Sequence, residues 1–299
     1  MRKFLTGFLY ITMWILSLPP LKILYFGAWI AYVFLHYIIA YRKEIITQNL
    51  RASFPGITEK ELGELSKKYH RHLSRVLVES LKAMHWSVDH MKSRIVLSNP
   101  EHLEKILKSG KNIIVLAGHT GNWEWLPALI APYGYDVLGV YKPQTNKVFN
   151  DLTFKMRKKE GVLPIAMRET ARAIRSVEGN TNPKALLLIA DQIPAKPDIH
   201  FWAKFMNQET AWFTGGEKIA QKYDLPVVFM KVLRTGSGRY EGTAITISTS
   251  PKREKEGDIT RMYIEELEKN IKNQTENWLW SHRRWKHRPE DLSLQTWQK

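Results

Sequence analysis

The first forty residues constrain the fold of this chain most, because they carry almost no charge. Between Phe4 and Tyr41 there is no acidic residue and only one lysine, and a Pro19-Pro20 pair divides the stretch in two. Residues 4–18 would form roughly 22 Å of helix, whereas residues 21–41 would reach about 30 Å, the thickness of a bilayer core. We therefore expect residues 1–43 to form a membrane anchor. The alternative is a pair of buried core helices in a soluble fold.

A cleaved signal peptide is a poor explanation of this stretch. Arg2-Lys3 supply the positive start, but bulky apolar residues follow Pro20 where a small-residue cleavage site would be needed. Basic residues flank both ends, and tryptophan and tyrosine recur inside, as is typical of the lipid headgroup region. We expect the segment to be retained as a shallow hairpin with both ends facing the cytoplasm.

Charge and cysteine content narrow the possible chemistry. The chain has 299 residues and a formal net charge of +16, which indicates an anionic partner such as nucleic acid, an anionic membrane surface or an acidic protein. The absence of cysteine excludes disulfides, thiolate metal sites, iron–sulfur clusters and cysteine nucleophiles. No His-Glu-x-x-His helix accompanies the ten histidines, so we expect neither a metal nor another cofactor.

Residues 44–299 read as one α/β domain. From 44 to about 91 the pattern is helical, with a capping-box signature at Thr58 and Glu61. Short apolar runs at 112–117, 137–141, 185–190 and 227–233 are separated by helix-length stretches, 240–248 is a further strand, and 259–271 is a last helix. This alternation predicts a mixed sheet flanked by helices.

One segment has the composition of a catalytic turn. The strand at 112–117 leads into Gly118-His119-Thr120-Gly121-Asn122-Trp123-Glu124, followed by an apolar helical stretch. Open α/β sheets place ligands at such strand ends. A Glu124 carboxylate folded back onto His119 would orient the imidazole as a general base. Alternatively, His119 caps the following helix and Glu124 complements the helix dipole.

The stretch 117–124 resembles the His-x4-Asp/Glu motif of the bacterial lipid A late acyltransferases, the lauroyl/myristoyl acyltransferase family. The resemblance covers roughly residues 1–290. It departs from the family at 201–204, where a Phe-Phe-Gly type turn is usual. The further matches, in the family's order, are Asn49-Leu50, Phe54-Pro55, Arg157, Gly161, Asp191-Gln192, Trp278 and the segment 280–286.

The resemblance implies a glycerolipid-acyltransferase-like α/β sandwich in the cell inner membrane, with the catalytic domain on the cytoplasmic side. It implies an O-acyltransferase of lipid A and lipopolysaccharide biosynthesis that moves an acyl chain from acyl carrier protein to a hydroxyl of an anionic glycolipid, a lipid A precursor. The alternatives are the same chemistry on another glycolipid, an aminolipid or a polyene-type acceptor, or a non-catalytic basic protein tethered to the membrane.

The residues are consistent with direct transfer. There is no Gly-x-Ser-x-Gly elbow, so a covalent acyl-enzyme lacks an obvious nucleophile. His119, assisted by Glu124, would deprotonate the acceptor hydroxyl, and loop amides, Asn122 or Arg157 would stabilise the oxyanion. Asp191 and Gln192, at a strand's carboxyl end, would hold Arg157 or the acceptor. The alternatives are a solvated basic helix face for Arg157 and a helix or turn cap for Asp191.

Two basic segments indicate what kinds of molecule this chain binds. Residues 142–175 hold nine lysines and arginines against three acidic residues, and we expect them to border the entrance for an acidic carrier protein. Residues 278–288 mix tryptophan, histidine and arginine, which suits either a phosphate-rich headgroup plane or single-stranded nucleic acid. The apolar N-terminal segment favours lipid, so no nucleic acid partner is expected.

Overall fold

Two helices form the N-terminal segment of the computed structural model, which describes residues 2–143, 145–159, 162–175 and 182–290. Helix α1 spans Arg2–Leu16 and α2 spans Leu21–Val33, continuing into one π-helical turn at Phe34–Ile38. The break falls at Pro19-Pro20, as predicted, because proline cannot donate the backbone hydrogen bond that a continuous helix needs. Within the described residues, Leu21–Ile38 is the one helix long and apolar enough to cross a membrane.

The next helices support the N-terminal segment. Helix α3 spans Lys43–Ser53, α4 spans Glu59–Ala83 and α5 spans Val88–Lys92. The predicted capping box is confirmed at the start of α4: the Thr58 amide donates to Glu61 Oε2 at 2.9 Å, and the Glu61 amide donates to Thr58 Oγ1 at 3.3 Å. Helix α2 packs along α4, so the apolar segment rests directly on the rest of the chain.

A seven-stranded sheet forms the centre of the molecule, and the predicted mixed α/β class is confirmed. The strand order is β1-β9-β8-β2-β5-β3-β4, with every neighbouring pair parallel except β8 and β9. The strands are β1 (Ile95–Leu97), β2 (Ile113–Ala117), β3 (Asp136–Tyr141), β4 (Val162–Ala166), β5 (Lys184–Ile189), β8 (Val227–Gly236) and β9 (Arg239–Ser248).

Helices cover both faces of this sheet. They are α6 (Pro100–Leu107), α7 (Lys147–Lys159), α8 (Thr170–Arg175), α9 (Gly215–Tyr223) and α10 (Asp258–Asn273). Every residue of β2 is buried, with Ile114 and Leu116 in one hydrophobic cluster and Ile113 and Val115 in the other. The pleat sends successive side chains to opposite faces, so a continuous apolar run marks a strand covered on both sides.

The predicted strands and the last helix are confirmed within a few residues, but some elements were not predicted. The unpredicted strands of the main sheet are β1 and β4. The antiparallel hairpin of β6 (Phe201–Phe205) and β7 (Gln208–Trp212) was also not predicted, and it contains residues 201–204, where the sequence departs from the family's usual turn. The helix after the His119 turn is a 3₁₀-helix, Trp123–Leu129, with Pro127 inside it. Proline removes a backbone donor, which disfavours a regular α-helix there.

The interpretation of residues 278–288 as a headgroup- or nucleic-acid-binding surface is wrong for its central residues. Trp278, Trp280 and Arg284 are almost completely buried. The Arg284 guanidinium lies 4.4 Å from the ring centroid of Trp212, and Trp285 Nε1 donates to Thr210 Oγ1 at 2.8 Å. The aromatic rings pack on the β6–β7 hairpin because burial of their large apolar surfaces is favourable.

Candidate active site

Two adjacent parallel strands deliver the central residues of the site. β2 and β5 pair in the register Ala117↔Ile189, so both strands end at the same edge of the sheet. The Ala190 amide donates to the Ala117 carbonyl at 3.1 Å and extends the pairing by one residue. The chain after β2 reaches His119 and the chain after β5 reaches Asp191, which brings the two side chains together.

The Asp191 carboxylate holds His119 by its ring and by its backbone. His119 Nδ1 lies 2.5 Å from Asp191 Oδ1, and the His119 amide donates to Oδ2 at 2.8 Å. Trp278 Nε1 donates to the same Oδ2 at 2.7 Å. Three groups therefore converge on a carboxylate that is only 2% exposed.

The electrostatics of the pair favour an ionised aspartate. Burial raises the pKa of the Asp191 carboxyl, but the charge and hydrogen bonds of His119, with the Trp278 indole, outweigh it and lower the pKa to about 2. An ionised Asp191 accepts a hydrogen bond from a protonated His119 Nδ1. The imidazole in its neutral form then has a free lone pair on Nε2.

Gln192 and Trp123 are further neighbours of the His119 ring. The side chain is 15% exposed, and Gln192 Nε2 lies 3.3 Å from His119 Nε2. The ring of Trp123 stands edge-on with centroids 5.3 Å apart. The structure therefore places Gln192 beside His119, and its predicted role in holding the acceptor stays a prediction.

The structure shows a different partner for Glu124 from the predicted His119. Glu124 instead accepts two hydrogen bonds from the Arg157 guanidinium, from Nε at 3.3 Å and from Nη2 at 3.1 Å. Both side chains of this fork-shaped ion pair are half-buried. Glu124 lies in the first turn of the 3₁₀-helix and Arg157 near the end of α7, so the pair ties α7 to the helix that follows the His119 turn. Arg157 is therefore held by Glu124, whereas Asp191 holds His119.

The remaining predicted site residues have different surroundings. Asn122 is completely buried and donates through Nδ2 to Glu79 Oε2 at 3.2 Å, so its side chain contacts protein rather than the open edge. It is the N-cap residue of the 3₁₀-helix without a side-chain cap bond, and His119 lies three residues earlier, which does not support the helix-cap interpretation of His119. Gly161 lies outside the described residues.

Glycine is required in the turn itself. A Cβ on Gly118 would overlap Leu267 Cδ1 and lie 3.4 Å from Asp191 Oδ2. Gly121 has φ +59°, and a Cβ there would lie 2.9 Å from Val232 Cγ1. The backbone can therefore pass between the sheet and α10 only because these two residues lack side chains.

Several supporting residues were not predicted. Trp278 was predicted only as a family match and as part of the segment 278–288. Tyr263 lies in the predicted last helix, and its hydroxyl donates to the Ala117 carbonyl at 2.9 Å. His282 Nε2 accepts from the Ile193 amide at 3.2 Å, and burial lowers the pKa of His282 to about 4. The available signal for Asp191 was its place directly after a strand, but no spacing rule showed that this strand neighbours β2.

Comparisons of sequence relate this chain to one family of enzymes. The family model described as bacterial lipid A biosynthesis acyltransferase matches residues 1–287. A lipid A biosynthesis acyltransferase from Haemophilus influenzae is 23% identical over 282 residues, 93% of this chain and 88% of the relative. Among solved structures, the 1-acyl-sn-glycerophosphate acyltransferase PlsC from Thermotoga maritima aligns with 87% of this chain and 99% of its own, at 13% identity and a TM-score of 0.37.

Proposed function

This chain belongs to the bacterial lipid A biosynthesis acyltransferase family, and from that premise we propose that it moves a fatty acyl chain from acyl carrier protein to a hydroxyl of a lipid A precursor. Membership makes the protein an acyltransferase, which decides against a non-catalytic basic binding protein. The observation that carries the proposed mechanism is the His119–Asp191 pair, in which Asp191 holds Nδ1 of a histidine whose side chain is partly exposed.

The proposed reaction is a direct transfer. His119 Nε2 takes the proton of the acceptor hydroxyl as its oxygen attacks the thioester carbonyl carbon. The tetrahedral intermediate then collapses, the carbon–sulfur bond breaks, and the imidazolium returns the proton to the leaving thiolate. Asp191 stabilises the imidazolium and holds Nδ1 protonated, and the products are an ester and a free thiol.

Arg157, Glu124 and Gln192 complete the proposed site around this base. Glu124 fixes the Arg157 guanidinium by two hydrogen bonds, and the guanidinium remains accessible enough to face a negative charge. Gln192 Nε2, close to His119 Nε2, is a second donor at the same edge. We assign the oxyanion or an acceptor phosphate to Arg157 and alignment of the acceptor to Gln192. Asn122 contributes through the shape of the turn, since its side chain is buried.

The donor assignment is supported by charge and by the surroundings of α7. This helix carries several exposed lysines, and Lys155 Nζ lies 5.7 Å from the ring centroid of Tyr10 in α1. Arg157 on the same helix reaches the 3₁₀-helix beside His119. A basic helix next to the site suits an acidic carrier protein, because complementary charge raises the rate of encounter.

The N-terminal helices support a proposed location at the inner membrane with the catalytic domain on the cytoplasmic side. Large apolar side chains remain exposed along α1 and α2, including Phe4, Phe8, Phe26 and Trp29. A contiguous apolar face of this kind is typical of a membrane-binding surface. The division into an anchor at 1–43 and an acyltransferase domain at 44–299 stays part of this proposal.

The test is product identity. Purified full-length protein in detergent is incubated with a lipid A precursor and with acyl carrier protein that bears a fatty acyl thioester. The lipids are then analysed by mass spectrometry. The expected result is a precursor heavier by one acyl group, together with free carrier-protein thiol. Acyl-coenzyme A at the same concentration and low salt is the matched donor control.

Each component of the proposal has its own contradicting outcome. Equal rates with the two donors would overturn the carrier-protein assignment. Acylation of a different glycolipid, an aminolipid or a polyene-type lipid, with none of the lipid A precursor, would overturn the acceptor. An acyl group retained on the protein in the absence of acceptor would overturn direct transfer.

A further inference from the structure

The buried carboxylate of Glu79 has no role in the proposed reaction, yet four side chains donate to it. Glu79 lies in α4 and is 0% exposed. Its Oε1 accepts from the Tyr25 hydroxyl at 2.6 Å and from Arg234 Nη2, and its Oε2 accepts from the Tyr240 hydroxyl at 2.5 Å and from Asn122 Nδ2 at 3.2 Å. This cluster is called the Glu79 cluster below.

The four donors come from four separate parts of the fold. Tyr25 belongs to the apolar helix α2, Arg234 and Tyr240 belong to β8 and β9, and Asn122 belongs to the turn that carries His119. One carboxylate therefore joins the N-terminal segment, the sheet and the catalytic turn.

The Glu79 cluster fixes the far end of the His119 turn. Asn122 Oδ1 is buried and accepts no hydrogen bond within the described structure, so Glu79 is what orients this side chain. His72 also links the turn to the Glu79 cluster. Its Nε2 lies 3.2 Å from the Gly121 carbonyl, and its Nδ1 lies 3.3 Å from Arg234 Nη1. Asp191 holds the turn at His119 and the Glu79 cluster holds it at residues 121–122.

Stability alone does not account for a buried charge in this place. Burying an ion pair costs desolvation, and well-packed apolar residues are often as stable or more stable. The Glu79 carboxylate instead fixes geometry. Its four hydrogen bonds are satisfied together in only one arrangement of the elements that supply the donors. Small displacements of catalytic groups lower the reaction rate strongly. A cluster that fixes their positions therefore favours catalysis.

We propose that Glu79 is a positioning residue that couples the docking of α2 to the placement of His119, through Tyr25 on one side and Asn122 on the other. This inference rests on the proposed acyl transfer. It predicts that the apolar N-terminal segment contributes to turnover as well as to membrane binding. Glu79 acts on the reaction only through the turn.

The principal test compares two tyrosines of the same helix. Tyr25→Phe removes the hydroxyl that reaches Glu79 and leaves the Glu79–Arg234 ion pair in place. Tyr32→Phe is the matched control, because the Tyr32 hydroxyl contacts the Tyr37 hydroxyl at 3.3 Å, inside the N-terminal segment. Both variants are assayed as full-length protein in the same detergent, with saturating donor and acceptor.

The expected result separates positioning from general stability. Tyr25→Phe should lower kcat by about tenfold with unchanged KM values, whereas Tyr32→Phe should match the parent. The double variant Tyr25→Phe with Asn122→Ala should lose no more than Asn122→Ala alone, since both act through one chain of contacts. Equal kcat for Tyr25→Phe and the parent, or additive losses in the double variant, would overturn the proposal.

Hydrogen exchange provides a readout that does not depend on which reaction the protein catalyses. Tyr25→Phe should speed amide exchange in the peptide covering residues 113–125, and Tyr32→Phe should not. Unchanged exchange in that peptide would overturn the coupling even if acyl transfer is confirmed. Conversely, faster exchange in a protein that transfers no acyl group would uphold the coupling and reject the proposed function.

Discussion

At the scale of single residues, the orientation of His119 depends on the hydrogen-bonding capacity of Asp191. One Asp191 oxygen faces His119 Nδ1, and the other accepts from the His119 amide and from Trp278. An anion can accept all three bonds, whereas an amide in the same place would present two N–H groups of its own. The carboxylate therefore selects the tautomer that leaves Nε2 free to act as a base.

Asp191→Asn should consequently remove most of the activity without changing the fold. The amide favours the tautomer protonated at Nε2, so we expect kcat to fall by up to about 10⁴-fold, with KM values little changed. The measurement is steady-state acyl transfer, with circular dichroism as the check on folding. Glu124→Gln is the comparison, and its loss should be smaller because Glu124 contacts Arg157. A larger loss in Glu124→Gln than in Asp191→Asn would restore Glu124 as the partner of the base.

Two buried histidines predict an acid-sensitive fold. Burial lowers the pKa of His72 to about 3 and that of His282 to about 4, both below the ordinary value of 6.5. Below pH 6.5 the unfolded chain takes up protons that the folded chain excludes, so stability falls as the pH falls toward 4. Between pH 6.5 and 5 the free energy of unfolding should drop by about 2 kcal/mol for each histidine.

Urea unfolding in detergent at pH 7 and at pH 5 measures this difference. Asp191 does not contribute in that range, since its lowered pKa affects stability only below about pH 4. His282→Gln should reduce the difference between the two pH values by about 2 kcal/mol, the contribution of one histidine. Equal unfolding free energies at pH 5 and pH 7 in the parent protein would contradict the prediction.

At the scale of elements, the site depends on how closely the turn after β2 approaches α10. Gly118→Ala would push a methyl group into Leu267, a fully buried residue of α10, next to Asp191. We expect loss of acyl transfer together with a lower melting temperature, because neither the sheet nor α10 can move without disturbing the core. Gly63→Ala in α4 is the control, since a Cβ there meets nothing within 4 Å.

Melting temperatures and kcat of the two glycine variants check this argument. Gly63→Ala should keep full activity and gain about 0.5–1 kcal/mol from the lower entropy of the unfolded chain. If Gly118→Ala kept both the activity and the melting temperature of the parent, the close packing of the turn would not be essential.

The sequence predicted the helices and strands better than it predicted which of them lie side by side. Apolar runs gave β2, β3, β5, β8 and β9 because continuous hydrophobicity marks strands buried on both faces. β1 escaped because three residues are too short for a reliable pattern, and β4 escaped because Pro164 interrupts its apolar run. His119 and Asp191 were both selected, each after its own strand, but their pairing depends on β5 lying beside β2, which periodicity does not encode. Glu79 gave no signal, since a single acidic residue in an amphipathic helix looks like a surface residue.

At the scale of the whole molecule, the proposed membrane surface is the exposed face of α2. Leu24, Ala28 and Tyr32 are buried, whereas Phe26 is 64% exposed. Phe26→Glu should therefore lower partitioning onto anionic phospholipid vesicles at least tenfold, because burial of such a side chain contributes about 1.5–3 kcal/mol. Flotation at low and high salt is the measurement.

Val96→Glu is the control for this experiment, because Val96 is 55% exposed on β1, outside α2, and the substitution adds the same negative charge. It should float as the parent does. High salt should weaken only the electrostatic part of binding, so the parent should remain on the vesicles. Identical flotation of Phe26→Glu and Val96→Glu would mean that α2 is not the surface that enters the membrane.

The rate of His119→Ala tests the proposed role of His119 as the general base of acyl transfer. The variant and the parent are compared at saturating concentrations of acylated acyl carrier protein and of lipid A precursor. Circular dichroism checks that both proteins are folded. We expect kcat of the variant to fall by roughly 10² to 10⁴-fold, the usual contribution of general-base catalysis. Turnover equal to that of the parent would contradict the account, since the strands, the turn and Asp191 would then orient a histidine that the reaction does not use.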